Sequence, residues 1–299
     1  MPEIDTSTDK KIRLIVNRIH NLPTPPMVFT QVNKVINDPN ASTYQIGVII
    51  SEDPALSAKV LKLTNSAFYG IPRTITSVKQ AIVILGLDVV RSLVLSASVF
   101  EIFSKQYSVD RDYLDSFWRH SLSVAFMARI ISRMKNLPSV LEAEESFSAG
   151  LLHDIGKLII FTHLFEDFKK IQKTIKENPG RPDNEIEEEI LGFDHALVGS
   201  YLAQKWNLPE ELVGAIKYHH NPEEDPDSST THIINVSNYL CLKSEESGDL
   251  KTKSDRKAVL CQLSWDRLGL DIEREKQLIQ LLQDEYAKAE TFLKMAQGD

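Results

Sequence analysis

Along most of this chain apolar residues return every three or four positions, the period of a helix face turned toward a core. Segments 43–50, 56–64, 78–85 and 89–100 show the pattern in short units, separated by turn-formers at Asp53-Pro54, Tyr69-Gly70-Ile71-Pro72 and Gly86. Asp53-Pro54 predicts a helix start, because Asp can cap a first turn and proline tolerates the first helical position. That helix turns Leu56, Val60, Leu61 and Leu63 inward and ends at Asn65-Ser66. No run alternates apolar and polar residues for long, and no Asn-Gly or Asp-Gly pair joins two β-branched stretches, so strands are not expected.

Longer helices follow. Segment 112–135 sets Phe117, His120, Val124, Met127 and Ile131 on one stripe, which would bury His120 among apolar neighbours. Segment 142–152 leads into His153-Asp154, and 155–177 reads as one continuous helix up to the breaker Asn178-Pro179-Gly180-Arg181-Pro182. Helices are predicted over 185–191, 195–206, 209–218 and 231–243, with Asp225-Pro226-Asp227-Ser228-Ser229 as the clearest exposed loop. Segment 255–296 reads as closing helices packed through Leu260, Leu263, Leu268, Leu278, Leu281 and Leu282. The fold class is all-α, without an internal repeat.

Composition narrows the function. With 299 residues and 42% hydrophobic content the chain is long enough to bury a sizeable core. A net charge of −8 opposes a nucleic-acid surface, which needs clustered Lys and Arg. The only cysteines, Cys241 and Cys261, have no CxxC spacing and read as buried free thiols of a reducing cytoplasm. The charged N-terminus has no apolar stretch of the signal-peptide kind. Asp88 and Arg91 interrupt the apolar segment 81–100, which makes it a core helix rather than a membrane span.

Candidate chemistry gathers in the second half. Seven of the eight histidines lie between His120 and His232, and His153-Asp154 is an adjacent imidazole–carboxylate pair. Neighbouring side chains on a helix diverge by about 100°, so such a pair can share an ion more readily at a helix end than along a helix face. His120, His153, Asp154, His195, His219 and His220 could together hold one or two ions, Asp154 being able to bridge them. That donor set suits iron, manganese or zinc better than calcium or magnesium. Taken singly the residues are ambiguous: His120 fits a hydrogen-bonded core residue, and His219-His220 before Asn221-Pro222 fits a solvated loop as well as a site. His163 and His232 carry no more signal, and His20 reads as structural.

Taken in order, the group resembles a known family. His120, His153-Asp154-Ile155-Gly156-Lys157, Asp194-His195-Ala196-Leu197-Val198-Gly199, Trp206-Asn207-Leu208-Pro209 and His219-His220-Asn221-Pro222 look like the HD superfamily of metal-dependent phosphohydrolases, in particular its HD-GYP branch, over 112–243. Upstream, Leu22-Pro23-Thr24-Pro25-Pro26, Ile49-Ile50-Ser51-Glu52-Asp53-Pro54-Ala55-Leu56-Ser57, Leu63-Thr64-Asn65-Ser66-Ala67-Phe68-Tyr69-Gly70 and Ile75-Thr76-Ser77-Val78-Lys79-Gln80-Ala81-Ile82-Val83-Ile84-Leu85-Gly86 are similar to the signature of the HDOD family, an HD-related output module of bacterial signalling proteins. The resemblance implies an HD-like helical core preceded by an N-terminal bundle of short helices. The expected division is an N-terminal subdomain over 1–110, an HD-like subdomain with the metal site over 111–245 and closing helices over 246–299.

Carried over residue by residue, the resemblance makes His120 the first ligand, His153 and Asp154 the paired ligands, and His195, His219 and His220 the remainder. It gives Asp154 and Lys157 catalytic roles, the lysine holding a substrate phosphate. Three departures stand out. Asn238 occupies the place of a late carboxylate ligand, Ser116 that of a further carboxylate, and Leu158-Ile159-Ile160-Phe161 follows the pair in place of a Gly-Tyr-Pro loop. Two functions are compatible: a cytoplasmic, non-enzymatic signalling module acting through a protein partner, or a metal-dependent phosphohydrolase of nucleotides or cyclic dinucleotides. Binding of a nucleotide without cleavage lies between them. The face near 65–75 is the expected partner surface, and neither nucleic acid nor membrane is an expected partner.

Overall fold

The computed structural model describes residues 6–20, 22–36, 42–66, 69–106, 111–134, 140–246 and 257–297. Every regular element among them is helical. The chain divides into two compact units, one formed by Met1–Leu22 with Ala149–Ile279, the other by Pro23–Ser148 with Gln280–Asp299.

The second unit contains α2 (Met27–Ile36), α3 (Thr43–Ser51), α4 (Pro54–Thr64), α5 (Val78–Leu85), α6 (Leu87–Gln106), α7 (Arg111–Ser132) and the first turns of α8 (Val140–Leu152). Local chemistry sets the boundaries. Ser42 and Gln45 form a capping box on α3, the Asp53 side chain accepts from the Leu56 amide at the start of α4, and Ser77 caps α5. Gly86, with φ of 89°, makes the sharp joint between α5 and α6 that a side chain would strain. The apolar stretch 81–100 is thus split between two helices, and none of the described helices is long and apolar enough to cross a membrane. Edge-to-face packing of Phe126 with Phe147 and Phe292 and the close Phe100–Trp118 contact fill this unit's core. A buried Arg129–Glu144 ion pair, 2.6 Å long, lies beside them under the Tyr69 ring.

The first unit carries α1 (Thr6–Arg18), α9 (Ile155–His163), α10 (Phe165–Glu177), α11 (Asp183–Leu191), α12 (His195–Lys205), α13 (Glu210–Tyr218), a 3₁₀ turn over Pro222–Glu224, α14 (Ser229–Glu246), α15 (Gln262–Arg267) and the start of α16 (Ile272–Gln297). α9 and α13 pack on α12, α10 packs on α9 and α11, and α14 packs on α13 and α15. Asn207, in the left-handed conformation at φ of 52°, turns the chain from α12 into α13, while the Leu208 amide donates back to the Ala203 carbonyl.

Several expectations change. Segment 155–177 is two helices, because Leu164 leaves helical geometry (φ −127°, ψ 44°) where Phe161, Phe165 and Phe168 close into one aromatic cluster. Helices α1 and α2 lie where no helix is predicted from the periodicity. In the closing segment Leu278 and Leu282 are buried, whereas Leu263 and Leu281 face solvent. Cys241 is buried, but Cys261 is only half-buried. On the expected partner face, Ser66 is buried and the Asn65 side chain is tied to both the amide and the carbonyl of Ile75. Ala67 and Phe68 of that face lie outside the described residues, as do Lys135 of the 112–135 segment and residues 255–256 of the closing segment.

Candidate metal centre

His153 and Asp154 occupy the two-residue break between α8 and α9. There the helix axis is interrupted, which frees the adjacent side chains from helical divergence. Both are buried, and the Asp154 carbonyl accepts from the Lys157 amide at 2.8 Å, starting α9 immediately beyond the pair. His195 opens α12, His219 ends α13 and His220 follows it.

The packing of α12 between α9 and α13 brings these termini to one point. Asp154, His195, His219 and His220 each offer a donor atom, and the four atoms lie within 4.8 Å of one another. Asp154 Oδ1 is 3.0 Å from His195 Nε2 and 3.7 Å from His219 Nε2. His195 Nε2 is in turn 3.0 Å from His220 Nε2 and 3.4 Å from His219 Nε2. His153 stands at the edge of the group, its Nε2 3.5 Å from Asp154 Oδ2 and its ring edge-on to His219.

The outer ring nitrogens explain what the inner ones are for. His219 donates from Nδ1 to the Ile216 carbonyl at 2.8 Å, and His153 donates from Nδ1 to the Gly150 carbonyl at 2.7 Å. His195 Nδ1 meets Glu187 Oε2 at 2.6 Å. A neutral imidazole that donates from Nδ1 carries its lone pair on Nε2. The set turns Nε2 atoms and a carboxylate oxygen toward a common point, an arrangement that suits a cation. The residues fit a divalent ion with imidazole and carboxylate ligands.

Electrostatics agree. Burial alone would push the Asp154 carboxyl up, but His153, Lys157 and His195 hold it well below the ordinary carboxylate range. Burial works against a charged His195, yet Glu187 and Asp154 raise it to about 10. Burial, reinforced by neighbouring imidazoles, pushes His219 and His220 well below the usual imidazole value, so both are neutral and ready to donate.

Lys157 Nζ donates to Asp154 Oδ2 at 3.0 Å and to Asp183 Oδ2 at 2.6 Å. Asn238 faces the same small cavity of about 20 Å³, together with Lys157, Asp183, His219, His220 and Asn235. That space suits an ion or a water rather than an organic ligand. The buried Asn238 Oδ1 accepts no hydrogen bond. Asn235 donates from its side chain to the His219 carbonyl at 2.9 Å.

Of the residues singled out in the sequence, the structure brings Asp154, His195, His219 and His220 together, with His153, Lys157 and Asn238 bordering them. His120 is buried on α7. His163 pairs with Thr162, and His232 is held by Ser264 and the Pro226 carbonyl. Asp183, Glu187 and Asn235 were not anticipated. Glu187 sits in the acidic run Glu185-Ile186-Glu187-Glu188-Glu189, which reads as a solvated face. The available signal was its four-residue spacing from both Asp183 and Leu191, which puts all three on one helix face.

The HDOD domain family matches residues 22–222, across both the upstream helices and the histidine-bearing segment. The chain belongs to this family. A curated relative, an uncharacterized protein of Treponema pallidum (strain Nichols), is 28% identical over 239 residues, 78% of this chain and 45% of its own length. Ribonuclease Y of Lawsonia intracellularis (strain PHE/MN1-00) is 27% identical over 135 residues, 45% of this chain and 20% of that protein. The chain thus spans less than half the length of these curated relatives. Among solved structures, a provisionally assigned signal transduction protein of Marinobacter aquaeolei VT8 superposes with a TM-score of 0.79 at 22% identity, covering 99% of this chain and 67% of its own. That likeness shows the fold, which is all-helical.

Proposed function

We propose that this HDOD chain is a non-enzymatic module of bacterial signalling in which Asp154, His195, His219 and His220 hold a divalent ion in a structural or sensory role. The observation that carries the reading is the state of Lys157. Its ammonium group is shared between Asp154 and Asp183, two carboxylates that compete with a phosphoryl group for it and offset its charge. The small cavity and the neutral amide of Asn238 point the same way. Such an ion, when bound, supplies Lewis acidity and fixes the ends of three helices against one another. The output passes to a protein partner, in keeping with the signalling assignment of the Marinobacter neighbour.

One observation favours a second reading. Four converging donors are more than a signalling surface needs, and they also fit a phosphohydrolase acting on a nucleotide or cyclic dinucleotide. Metal analysis of protein purified without chelator, followed by turnover assays with a simple phosphodiester and cyclic dinucleotides in iron and manganese, separates the two. Bound metal without turnover is expected. Turnover lost on His195→Ala would overturn the non-enzymatic reading, and wild-type protein that takes up no iron, manganese or zinc would overturn the site itself.

A further inference from the structure

His153 and His219 orient their rings in the same way, each donating from Nδ1 to the carbonyl three residues earlier in the chain, Gly150 and Ile216 respectively. This works because each follows or ends a helix whose last turn presents such carbonyls. His195 has no such turn behind it. It is the first residue of α12, and three residues earlier stands Gly192, the left-handed cap that ends α11. Its ring must be oriented from outside.

Glu187, on α11, meets that need. One oxygen, Oε2, accepts from the His195 backbone amide at 2.7 Å and faces His195 Nδ1 at 2.6 Å. Both residues are buried, with exposures of 3% and 0%. The amide contact fixes where the first turn of α12 begins, and the ring contact fixes how the imidazole is rotated about it. A carboxylate in this position holds a proton on Nδ1 and leaves Nε2 to the ion, while making the ring a stronger donor than a backbone carbonyl would.

We infer that Glu187 is the positioning residue of the candidate metal centre, holding His195 with Nε2 directed at the Asp154–His219–His220 cluster. The inference rests on the proposed metal site but is tested apart from it. Two variants separate charge from shape: Glu187→Gln keeps an acceptor oxygen of the same reach, and Glu187→Ala removes it. Zinc affinity, measured by competition with a chromophoric chelator, should fall 10- to 100-fold in the alanine variant and less in the glutamine variant. In metal-free protein, nitrogen-15 imidazole spectra should show a His195 Nδ1 proton protected from solvent exchange, with that protection lost in the alanine variant.

If the alanine variant fails to fold, the glutamine variant carries the same two readouts, with a smaller affinity loss and a weakened Nδ1 hydrogen bond. Wild-type zinc affinity in the folded variants, or an Nδ1 proton indifferent to residue 187, would overturn the inference while leaving the metal site standing. Wild-type protein without zinc affinity would remove the metal reading, and the imidazole spectra would still decide whether Glu187 orients His195.

Discussion

The α-carbon of Gly156 faces the His195 carbonyl so closely that a Cβ placed on it would lie 2.0 Å from that oxygen and 2.8 Å from the Gly199 amide nitrogen. Helices α9 and α12 meet backbone to backbone at this point, and the contact sets the distance between Asp154, just ahead of α9, and His195, at the start of α12. The glycine of His-Asp-Ile-Gly-Lys is thus required by packing, and no rotamer change can relieve a clash with main-chain atoms.

Gly156→Ala should therefore push α12 away from α9 and carry His195 out of reach of Asp154. The expected cost is at least about 1–3 kcal/mol of stability, read by urea unfolding, with a clear loss of zinc affinity beside it. Gly199→Ala provides the comparison. Its Cβ would meet the side-chain methyls of Ile216 and Ile155 at 3.0 and 3.1 Å, which can move, and comes no nearer to the main chain than 3.2 Å, at the Gly156 amide nitrogen, so its effect should be smaller. Equal effects of the two substitutions would show that main-chain contact does not set the site geometry.

Much of this architecture was legible where local chemistry decides it. Helix α5 spans the 78–85 expected from periodicity alone, and α4 begins at the Asp53 cap, because both boundaries are written in adjacent residues. The break at Leu164 was not legible. No glycine or proline marks it, and it arises from the closing of three phenylalanines that only tertiary structure brings together. At the site, the histidines and Asp154 could be picked out by type. Glu187 and Asp183 could not, since their burial depends on how α11 packs and a run of acids on a helix ordinarily faces water.

Metal-free protein should be most stable near pH 6.5. His195, raised from 6.5 to about 10, contributes stability that is fully present below 6.5 and lost as pH rises toward 10. His219 and His220 are depressed, so below 6.5 the unfolded chain takes up protons that the native state refuses, and stability falls again. Asp154, also depressed, extends that loss as pH falls through its ordinary value of 3.8. Urea midpoints between pH 5 and 10 test this, and His195→Gln should flatten the alkaline side. An alkaline decline unchanged in that variant would exclude His195 as its source.

Asn238→Asp should act with opposite sign on two measurements. The buried Asn238 Oδ1 accepts no hydrogen bond and lines the same cavity as His219 and His220. A carboxylate there adds a charged oxygen donor, so zinc or manganese affinity should rise by about tenfold or more. In metal-free protein the same change adds a buried carboxylate to the cavity that Asp183 already lines, and the unfolding midpoint should fall. Unaltered affinity would mean that the side chain at 238 does not reach the ion.

Outside the site, the buried pair Arg129–Glu144 offers a test of the second unit alone. The guanidinium and the carboxylate are 2.6 Å apart, and both side chains are almost wholly screened from water. Burial pushes the Glu144 carboxyl up, against the pull of Arg129 and then Arg133, so the carboxylate depends on its partners to stay ionised. Glu144→Ala would remove the buried carboxylate that pairs with Arg129 beneath Tyr69 and Phe147 and should destabilise the protein by about 3–5 kcal/mol. Replacing both residues with apolar ones of similar volume, Arg129→Met with Glu144→Leu, removes the buried guanidinium as well as the carboxylate and should recover most of that loss. A double variant no more stable than Glu144→Ala, measured by urea unfolding at neutral pH, would show that the penalty comes from lost packing rather than from an uncompensated charge.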